Sequence, residues 1–328
     1  MIWIELFAGS ASVAMELLGL GPLTTYQGGK RYLAPDLLKA LSASGRPSQV
    51  ILGDVGPWGE VWRVCSSPAG ALSVAGEVER WSGDPMMIWE HLASLPVPVY
   101  PWGPAEVAHY LYLQGRQICG APLWPEDEYP GRARVPELGR WRYGCQREAT
   151  SPNPRHRGNR GKQGWGRGTG KERSTQGPTA RLYNPGGKDG SGLTPAGLVR
   201  RLRALAAVAA EVEIQGGRLL ADDLLNDLRA RGGLEGAVVY LDPPYVGGTG
   251  YCLRSDREGL LALARTCREA GATVAISEAC GLADELGPGW YEADLSSRHR
   301  GHGREWLTAS IPLDTGAALY GPLLSGVA

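Results

Sequence analysis

The chain has 328 residues, of which 43% are hydrophobic and 21% charged, and its formal net charge is zero. This length supports one large domain or two small ones, and the composition is that of a globular protein rather than a disordered one. No run approaches the roughly 20 apolar residues that a membrane span requires, so we expect no membrane partner.

The six cysteines form no C-x-x-C pair and no Cys/His cluster with zinc spacing. We therefore expect reduced thiols, no metal, and a cytoplasmic protein. The N-terminal stretch "MIWIELFAGS" also lacks the basic region of a signal peptide.

The first part of the chain predicts strands alternating with helices. "IWIELF" is a buried strand, and "SASVAMELLG" is a helix with Ser10 or Ser12 as its N-cap and Gly19 as its stop. "APDLLKALSAS" predicts a second helix, and "QVILGD" predicts a strand that ends at Asp54. Residues 59–95 are expected to be helical in parts.

The middle of the chain, from about residue 96 to 192, has a different composition. It opens with the proline-rich "LPVPVYPWGP", and residues 132–188 contain 14 Lys and Arg with few acidic residues. Residues 151–192 have almost no apolar content, which predicts a flexible loop. Such a local excess of positive charge favours a polyanionic partner.

Regular patterns return at Thr194. Helices are predicted at "TPAGLVRRLRALAAVAAEV", "DDLLNDLRARGG" and "DREGLLALARTCREAG", with strands "EIQGG", "GAVVYLD" and "ATVAISE" around them. The last strands, "WYEADL" and "REWLTASIP", have no helix between them and predict an antiparallel edge hairpin. Together these patterns predict an α/β protein with a mostly parallel sheet covered on both faces.

Ligands of open α/β sheets bind outside the carboxyl ends of the strands, so the residues that end each strand are candidates for a site. The first strand ends in Phe7, Ala8, Gly9, Ser10 and Ala11. Small residues here admit a ligand close to the backbone, and plain packing is the alternative.

Acidic residues follow two further strands. Asp54 is placed to accept the hydroxyls of a ribose, with a helix cap or a solvated turn as the alternative. Asp222 and Asp223 follow "EIQGG", where one of them can accept from an adenine amino group. An N-cap for the next helix is the preferred interpretation of at least one of this pair.

The stretch Asp242-Pro243-Pro244-Tyr245 after "VVYL" is the most specific signal. An aromatic exocyclic amine is a poor nucleophile because its lone pair is delocalised. An Asp carboxylate and the Pro243 carbonyl can accept its two N–H bonds and direct the lone pair at an electrophilic methyl group. Tyr245 offers a ring for stacking on a base that has been flipped out of a duplex. The alternative is an Asp-Pro turn with a core tyrosine.

These motifs resemble those of DNA adenine methylases, which use S-adenosylmethionine and carry the D-P-P-Y motif. "ELFAGSASVAMELL" is similar to the cofactor loop of that family, "YQGGKRYLAPDLL" to its G-G-K segment, and "VILGDVGPW" to its ribose-binding strand. The resemblance covers roughly residues 1–56 and 194–312. It implies a class I Rossmann-like methyltransferase sheet with an antiparallel edge hairpin and an inserted target-recognition region.

The resemblance also implies roles for individual residues. Asp242, Pro243, Pro244 and Tyr245 would be catalytic. Cofactor contacts would come from Phe7, Ala8, Gly9, Ser10, Ala11, Tyr26, Lys30, Asp54, Asp222 and Asp223. The G-G-K segment usually precedes the glycine loop and follows it here, so a turn with a solvated flank is the alternative for Tyr26 and Lys30.

The implied domain division assigns residues 1–95 and 193–328 to the catalytic domain and residues 96–192 to target recognition. Contacts with double-stranded DNA are expected from Arg155, Arg157, Arg160, Lys162, Trp165, Arg167, Lys171, Tyr251, Arg298 and Arg300. A solubilising loop without a partner is the alternative for the basic segment.

The expected reaction is transfer of a methyl group from S-adenosylmethionine to N6 of a flipped adenine. The alternatives are an enzyme for cytosine N4 or for RNA, and a non-catalytic nucleic-acid-binding protein on a methyltransferase scaffold. The recognition sequence, a restriction partner, a phage or bacterial origin, and a monomeric or dimeric state stay open at this point.

Overall fold

The computed structural model describes residues 1–24, 30–43, 45–116, 123–125, 193–244, 256–295 and 305–314, and the backbone of 141–143. Nine strands lie in these ranges. They are β1 (Ile2–Leu6), β2 (Gln49–Asp54), β3 (Leu123–Pro125), β4 (Trp141–Tyr143), β5 (Glu213–Arg218), β6 (Val238–Leu241), β7 (Thr273–Glu278), β8 (Tyr291–Asp294) and β9 (Trp306–Ala309).

Seven of these strands form one mixed sheet in the order β5-β2-β1-β6-β7-β9-β8. Strands β5, β2, β1, β6 and β7 are parallel, whereas β9 runs antiparallel to both β7 and β8. The prediction of a mostly parallel α/β sheet with an antiparallel hairpin at one edge is confirmed. Strands β3 and β4 form a separate antiparallel pair.

Many of the helices have proline as their first residue. They are α1 (Ser12–Leu17), α2 (Ala34–Ala40), α3 (Pro57–Cys65), α4 (Pro68–Glu79), α5 (Pro85–Ser94), α6 (Pro104–Gly115), α7 (Pro195–Ala209), α8 (Ala221–Ala230), α9 (Arg257–Glu269) and α10 (Ala283–Leu286). Five of them, α3 to α7, start on a proline, whose missing N–H has no partner in the first turn anyway. In the described part of the chain, no helix combines the length and apolar content that crossing a membrane requires.

Both faces of the sheet are covered, as the unbroken apolar runs of the central strands predict. Successive residues of a strand point to opposite faces. In β1, Trp3 belongs to the hydrophobic cluster shared with α1 to α7, and Ile4 to the cluster shared with α8 and α9. In β6, Tyr240 and Val239 divide between the two clusters in the same way.

Helix α6 lies within the range that the sequence assigns to target recognition. Its residues from Val107 to Gly115 are all buried, and it packs on α3, α4 and α5. Leu111 of α6 and Trp3 of β1 belong to the same hydrophobic cluster. Residues 104–115 thus pack with the helices beside the main sheet, and the recognition role of residues 96–192 stays a prediction.

The predicted serine cap of α1 is wrong. The residue before the helix is Ala11, which has a left-handed backbone with φ of 48° and makes no side-chain cap. Ser12 is the first helical residue. The Ser10 and Ser12 hydroxyls lie 3.0 Å apart and bond to each other, so neither is directed at the amides of the first turn.

Candidate active site

The carboxyl ends of β1, β2 and β6 bring three of the predicted motifs together. Leu6, the last residue of β1, is in register with Gly53 of β2 and with Leu241 of β6. Just beyond the strands, Ala8 N donates to Gly53 O at 3.0 Å and Asp242 N donates to Leu6 O at 3.3 Å. The glycine loop after β1 therefore lies between Asp54 and Asp242.

That loop, residues 7–11, folds through three left-handed backbone positions. Phe7, Gly9 and Ala11 have φ values of 58°, 47° and 48°. Such values are uncommon for residues other than glycine, and each costs Phe7 and Ala11 on the order of 1 kcal/mol or more. Contacts with the surrounding residues must therefore stabilise this loop conformation. Strained loops of this kind are concentrated at ligand sites.

Asp54 is one of those contacts. Its Oδ2 accepts from Gly9 N at 2.9 Å and its Oδ1 accepts from Gly56 N at 2.7 Å. Burial is the main influence on its ionisation and raises its pKa, while the two amide donors act in the opposite direction. Asp54 thus ties the loop after β1 to the loop after β2. Each carboxylate oxygen has a second lone pair, so ribose binding stays a compatible prediction.

Trp62 is a second contact of the loop, and the sequence-based predictions missed it. Its indole Nε1 on α3 donates to Gly9 O at 2.8 Å. Gly9 is thereby held through both its N–H and its carbonyl. The pattern of α3 marks Trp62 as a core residue, and no sequence signal indicates the hydrogen bond.

Asp242 directly follows the central strand β6 and is a nearly buried carboxylate. Its side chain is 13% exposed, and Lys30 Nζ lies 3.0 Å from its Oδ1. Burial is the largest influence on Asp242 and raises its pKa to about 6; Lys30 lowers the pKa, whereas Glu305 and Glu278 raise it. Asp242 is therefore mostly ionised at neutral pH and can accept hydrogen bonds.

Lys30, whose role was uncertain because of its displaced segment, reaches this carboxylate. Its side chain is only 5% exposed and also lies 3.5 Å from Glu305 Oε1. The chain before it is held by Arg201, whose guanidinium donates to Pro22 O and Leu23 O at 3.1 Å. The order of the motifs along the chain therefore does not prevent Lys30 from meeting Asp242.

Three buried acids near this edge were not predicted. Glu5 in β1, Glu278 at the end of β7 and Glu305 before β9 are all buried. The available signal was an acid within or directly beside an apolar strand, since such residues are almost never buried without a partner. Glu5 Oε2 accepts from Ala14 N at 2.7 Å, and Glu278 Oε2 accepts from Ala279 N at 2.8 Å.

The acids after β5 occupy the first turn of α8. The N-cap of α8 is Leu220, and Asp222 and Asp223 follow it inside the helix, so the predicted cap role is wrong. Their charges lie at the positive end of the helix, where they stabilise it. Their predicted contact with an adenine stays a prediction.

Pro243 is buried and Pro244 is half-buried directly after Asp242. The remaining predicted site residues lie outside the described ranges. These are Tyr26, Tyr245, Tyr251, Arg155, Arg157, Arg160, Lys162, Trp165, Arg167, Lys171, Arg298 and Arg300. Within the described ranges, no group of three or more His, Cys, Asp or Glu side chains is placed to hold a metal ion.

Comparison with known proteins does not assign the chain to a family. No protein-family model matches the chain, and no curated protein shows significant similarity to it.

Proposed function

We propose that the protein transfers a methyl group from S-adenosylmethionine to the exocyclic N6 amine of an adenine flipped out of double-stranded DNA. The observation that carries this proposal is the place of Asp242 and Pro243. They directly follow the central strand β6, beside the left-handed glycine loop that follows β1. A carboxylate and a proline carbonyl at this position can accept both N–H bonds of an aromatic amine.

The two acceptors would make the amine reactive. Hydrogen bonds to Asp242 and to the Pro243 carbonyl favour a pyramidal nitrogen whose lone pair points away from the ring. The nitrogen–carbon bond would form as the carbon–sulfur bond of the methyl donor breaks. The methylated nitrogen would then lose one proton, which the Asp242 carboxylate would receive.

Two features of the described residues support the methyl donor as the proposed ligand. S-adenosylmethionine supplies an electrophilic methyl on a cationic sulfonium. The acids Asp242, Glu278 and Glu305 outnumber the Lys30 ammonium at this edge of the sheet, and this excess of acids favours a cation. The loop at Gly9 offers backbone at close range, and Asp54 stands between the loops where a ribose would lie.

The topology supports the same proposal. With the seven strands of the main sheet counted along the chain, their spatial order is third, second, first, fourth, fifth, seventh, sixth, and the seventh strand is antiparallel. A mostly parallel sheet with an antiparallel edge is what the resemblance to adenine methylases implies. The choice of DNA depends on the basic segment 151–192 and on the D-P-P-Y resemblance.

The test is methyl transfer from isotopically labelled S-adenosylmethionine to mixed-sequence duplex DNA and, separately, to RNA. The products are digested to nucleosides and identified by mass spectrometry. We expect labelled N6-methyladenine from DNA. Label on cytosine N4 or in RNA alone would replace the proposed substrate, and absence of both transfer and cofactor binding would overturn the proposal.

The matched variant for this test is Asp242→Asn, which keeps the shape of the side chain and removes its charge. We expect transfer to fall at least roughly a hundredfold, the scale of losing a group that acts directly on the reacting atoms. Cofactor binding measured by calorimetry should be largely retained. Asp227→Asn, on the exposed surface of α8, is the control and should leave transfer unchanged. A fully active Asp242→Asn protein would contradict the proposed mechanism.

A further inference from the structure

A single buried ammonium is shared between two carboxylates at the carboxyl edge of the sheet. Lys30 Nζ lies 3.0 Å from Asp242 Oδ1 and 3.5 Å from Glu305 Oε1. The three side chains are 5%, 13% and 10% exposed, respectively. Water therefore screens this arrangement weakly, and each charge strongly affects the others.

The topology explains how residues so distant in the chain meet. Asp242 follows β6, and β7 lies beside β6 in the sheet. Strand β9 is antiparallel to β7, with Trp306 paired to Glu278. Glu305, just before Trp306, therefore lies at the same edge as the end of β6.

The other titratable groups around Asp242 are already engaged. Glu278 accepts from its neighbouring amide, Glu5 accepts from Ala14 N, and the Tyr240 hydroxyl lies 2.7 Å from Ser277 Oγ. Among the described residues, Lys30 is the cation that faces Asp242. Asp242 and Glu305 thus compete for the Lys30 ammonium. The position of that ammonium decides how negative the Asp242 carboxylate is when an amine approaches it.

We propose that Glu305 is a positioning residue for methyl transfer, an inference that rests on the proposed function. When the target amine reaches Asp242, the Lys30 ammonium shifts towards Glu305, so that an ionised Asp242 oxygen becomes available to accept the amine N–H. Glu305 Oε1 is only 0.5 Å farther from Nζ than Asp242 Oδ1 is (3.5 minus 3.0 Å), so the shift requires little movement. The ammonium stays paired throughout, which avoids the large cost of a bare buried charge.

The test variant is Glu305→Gln, which keeps the side-chain size but cannot hold the ammonium as a counter-ion. Without the Glu305 counter-ion, Lys30 stays closer to Asp242 and competes with the amine. We expect KM for DNA to rise and kcat/KM at neutral pH to fall roughly tenfold. Because a like charge near Asp242 is lost, the pKa of Asp242, about 6 in the wild type, should fall. The acid limb of kcat/KM should move down by about one pH unit.

Two measurements report this shift. One is the pH profile of methyl transfer, and the other is a 13C NMR titration of the free protein carrying carboxyl-labelled Asp, with the Asp242 signal assigned from Asp242→Asn. Glu90→Gln, on the exposed side of α5, is the matched control and should move neither. Glu305→Asp restores the charge and should move the limb back towards the wild-type position. If Glu305→Gln does not fold, Glu305→Asp serves as the test and should give an intermediate KM.

The outcomes separate this inference from the proposed function. An unchanged Asp242 titration in a folded Glu305→Gln protein overturns the inference. Loss of activity without a shift of the acid limb also overturns it, because a structural role alone would produce that result. A shifted titration in a protein whose wild type methylates no nucleic acid supports the shared ammonium but overturns both the proposed function and the methyl-transfer role of Glu305.

Discussion

At the residue scale, Glu5 is a buried acid whose pKa lies far above its ordinary value. It is 2% exposed in the middle of the sheet, where its Oε2 accepts from Ala14 N at 2.7 Å and from Trp3 Nε1 at 3.4 Å. Burial outweighs these donors and raises its pKa from 4.5 to about 8. At neutral pH Glu5 is therefore mostly a neutral carboxylic acid that ties β1 to α1 behind the glycine loop.

The raised pKa predicts how stability depends on pH. The folded protein keeps the Glu5 proton up to about pH 8, whereas the unfolded chain loses it near 4.5. Stability is therefore highest below pH 4.5 as far as this group is concerned, and declines as pH rises to about 8 by up to roughly 1.4 kcal/mol per pH unit.

Glu5→Gln should remove this contribution, so that the variant gains stability relative to the wild type as pH rises from 5 to 8. Urea unfolding across that range measures the effect. Glu213→Gln, at an exposed position of β5, should leave the pH dependence as it is in the wild type. An equal pH dependence for Glu5→Gln and the wild type would contradict the assignment of Glu5 as a buried neutral acid.

Some residues of the site could be predicted from local sequence patterns, whereas the roles of others depend on tertiary contacts. Asp242 could be predicted because a carboxylate followed by two prolines at a strand end is a local chemical signal. The meeting of Lys30 with Asp242 and Glu305 depends on the register of three strands and was not predictable. The hydrogen bond from Trp62 to Gly9 was missed for the same reason.

At the element scale, α3 packs unusually closely on the sheet because glycines line its contact. A Cβ added to Gly59 of α3 would lie 2.4 Å from Asp54 O and 2.7 Å from Arg218 Cα. A Cβ on Gly216 of β5 would lie 2.5 Å from the Cβ of Trp62. Since Trp62 and Asp54 both hold Gly9, this close packing also positions the glycine loop.

Two helical glycines therefore predict opposite effects of the same substitution. Gly59→Ala must push α3 away from backbone atoms, and we expect it to lower the free energy of unfolding by about 1–3 kcal/mol and to weaken S-adenosylmethionine binding. Gly76→Ala in α4 meets nothing within 4 Å and should stabilise the protein by about 0.5–1 kcal/mol. Urea unfolding and calorimetry measure both. A neutral Gly59→Ala would show that α3 can shift without consequence for the site.

The strands with continuous apolar runs and the helices with regularly spaced apolar residues could be predicted from the sequence. The buried runs of β1, β2, β6 and β7, and the helices α7 and α9, lie close to their predicted positions. Residues 57–94 form three separate helices, which the sequence indicated only as partly helical. The breaks between α3, α4 and α5 fall at prolines that begin the next helix. The apolar residues therefore follow no continuous helical period that would have predicted these helices.

At the scale of the whole molecule, a net charge of zero conceals a separation of charge. Buried acids lie at the carboxyl edge of the sheet, whereas Lys and Arg are concentrated in residues 132–188. An edge that favours a cation and a segment that favours a polyanion are both features that the proposed reaction requires. The composition could indicate the second feature but not the first, because only the fold brings the acids together.

The basic segment predicts a salt-dependent contribution to DNA binding. A variant in which Arg155, Arg157, Arg160, Lys162, Arg167 and Lys171 are replaced by Gln should bind duplex DNA more weakly at all sequences. The slope of log K against log salt concentration should become shallower by about 0.9 for each phosphate that the variant no longer neutralises. Cofactor binding and the unfolding midpoint should be unchanged, because the variant alters none of the residues that form the described sheet and helices.

The matched control replaces three exposed arginines that pair with acids on the helical surface, Arg80, Arg203 and Arg231. These ion pairs contribute little to stability, and their removal should leave the salt slope as it is in the wild type. Fluorescence anisotropy with labelled duplex DNA at several salt concentrations measures both variants. If the six-residue variant keeps the wild-type slope, the segment does not bind phosphates, and its excess charge serves solubility instead. If the slope becomes shallower in both variants in proportion to the number of charges removed, the interaction is a general effect of net charge and is not confined to this segment.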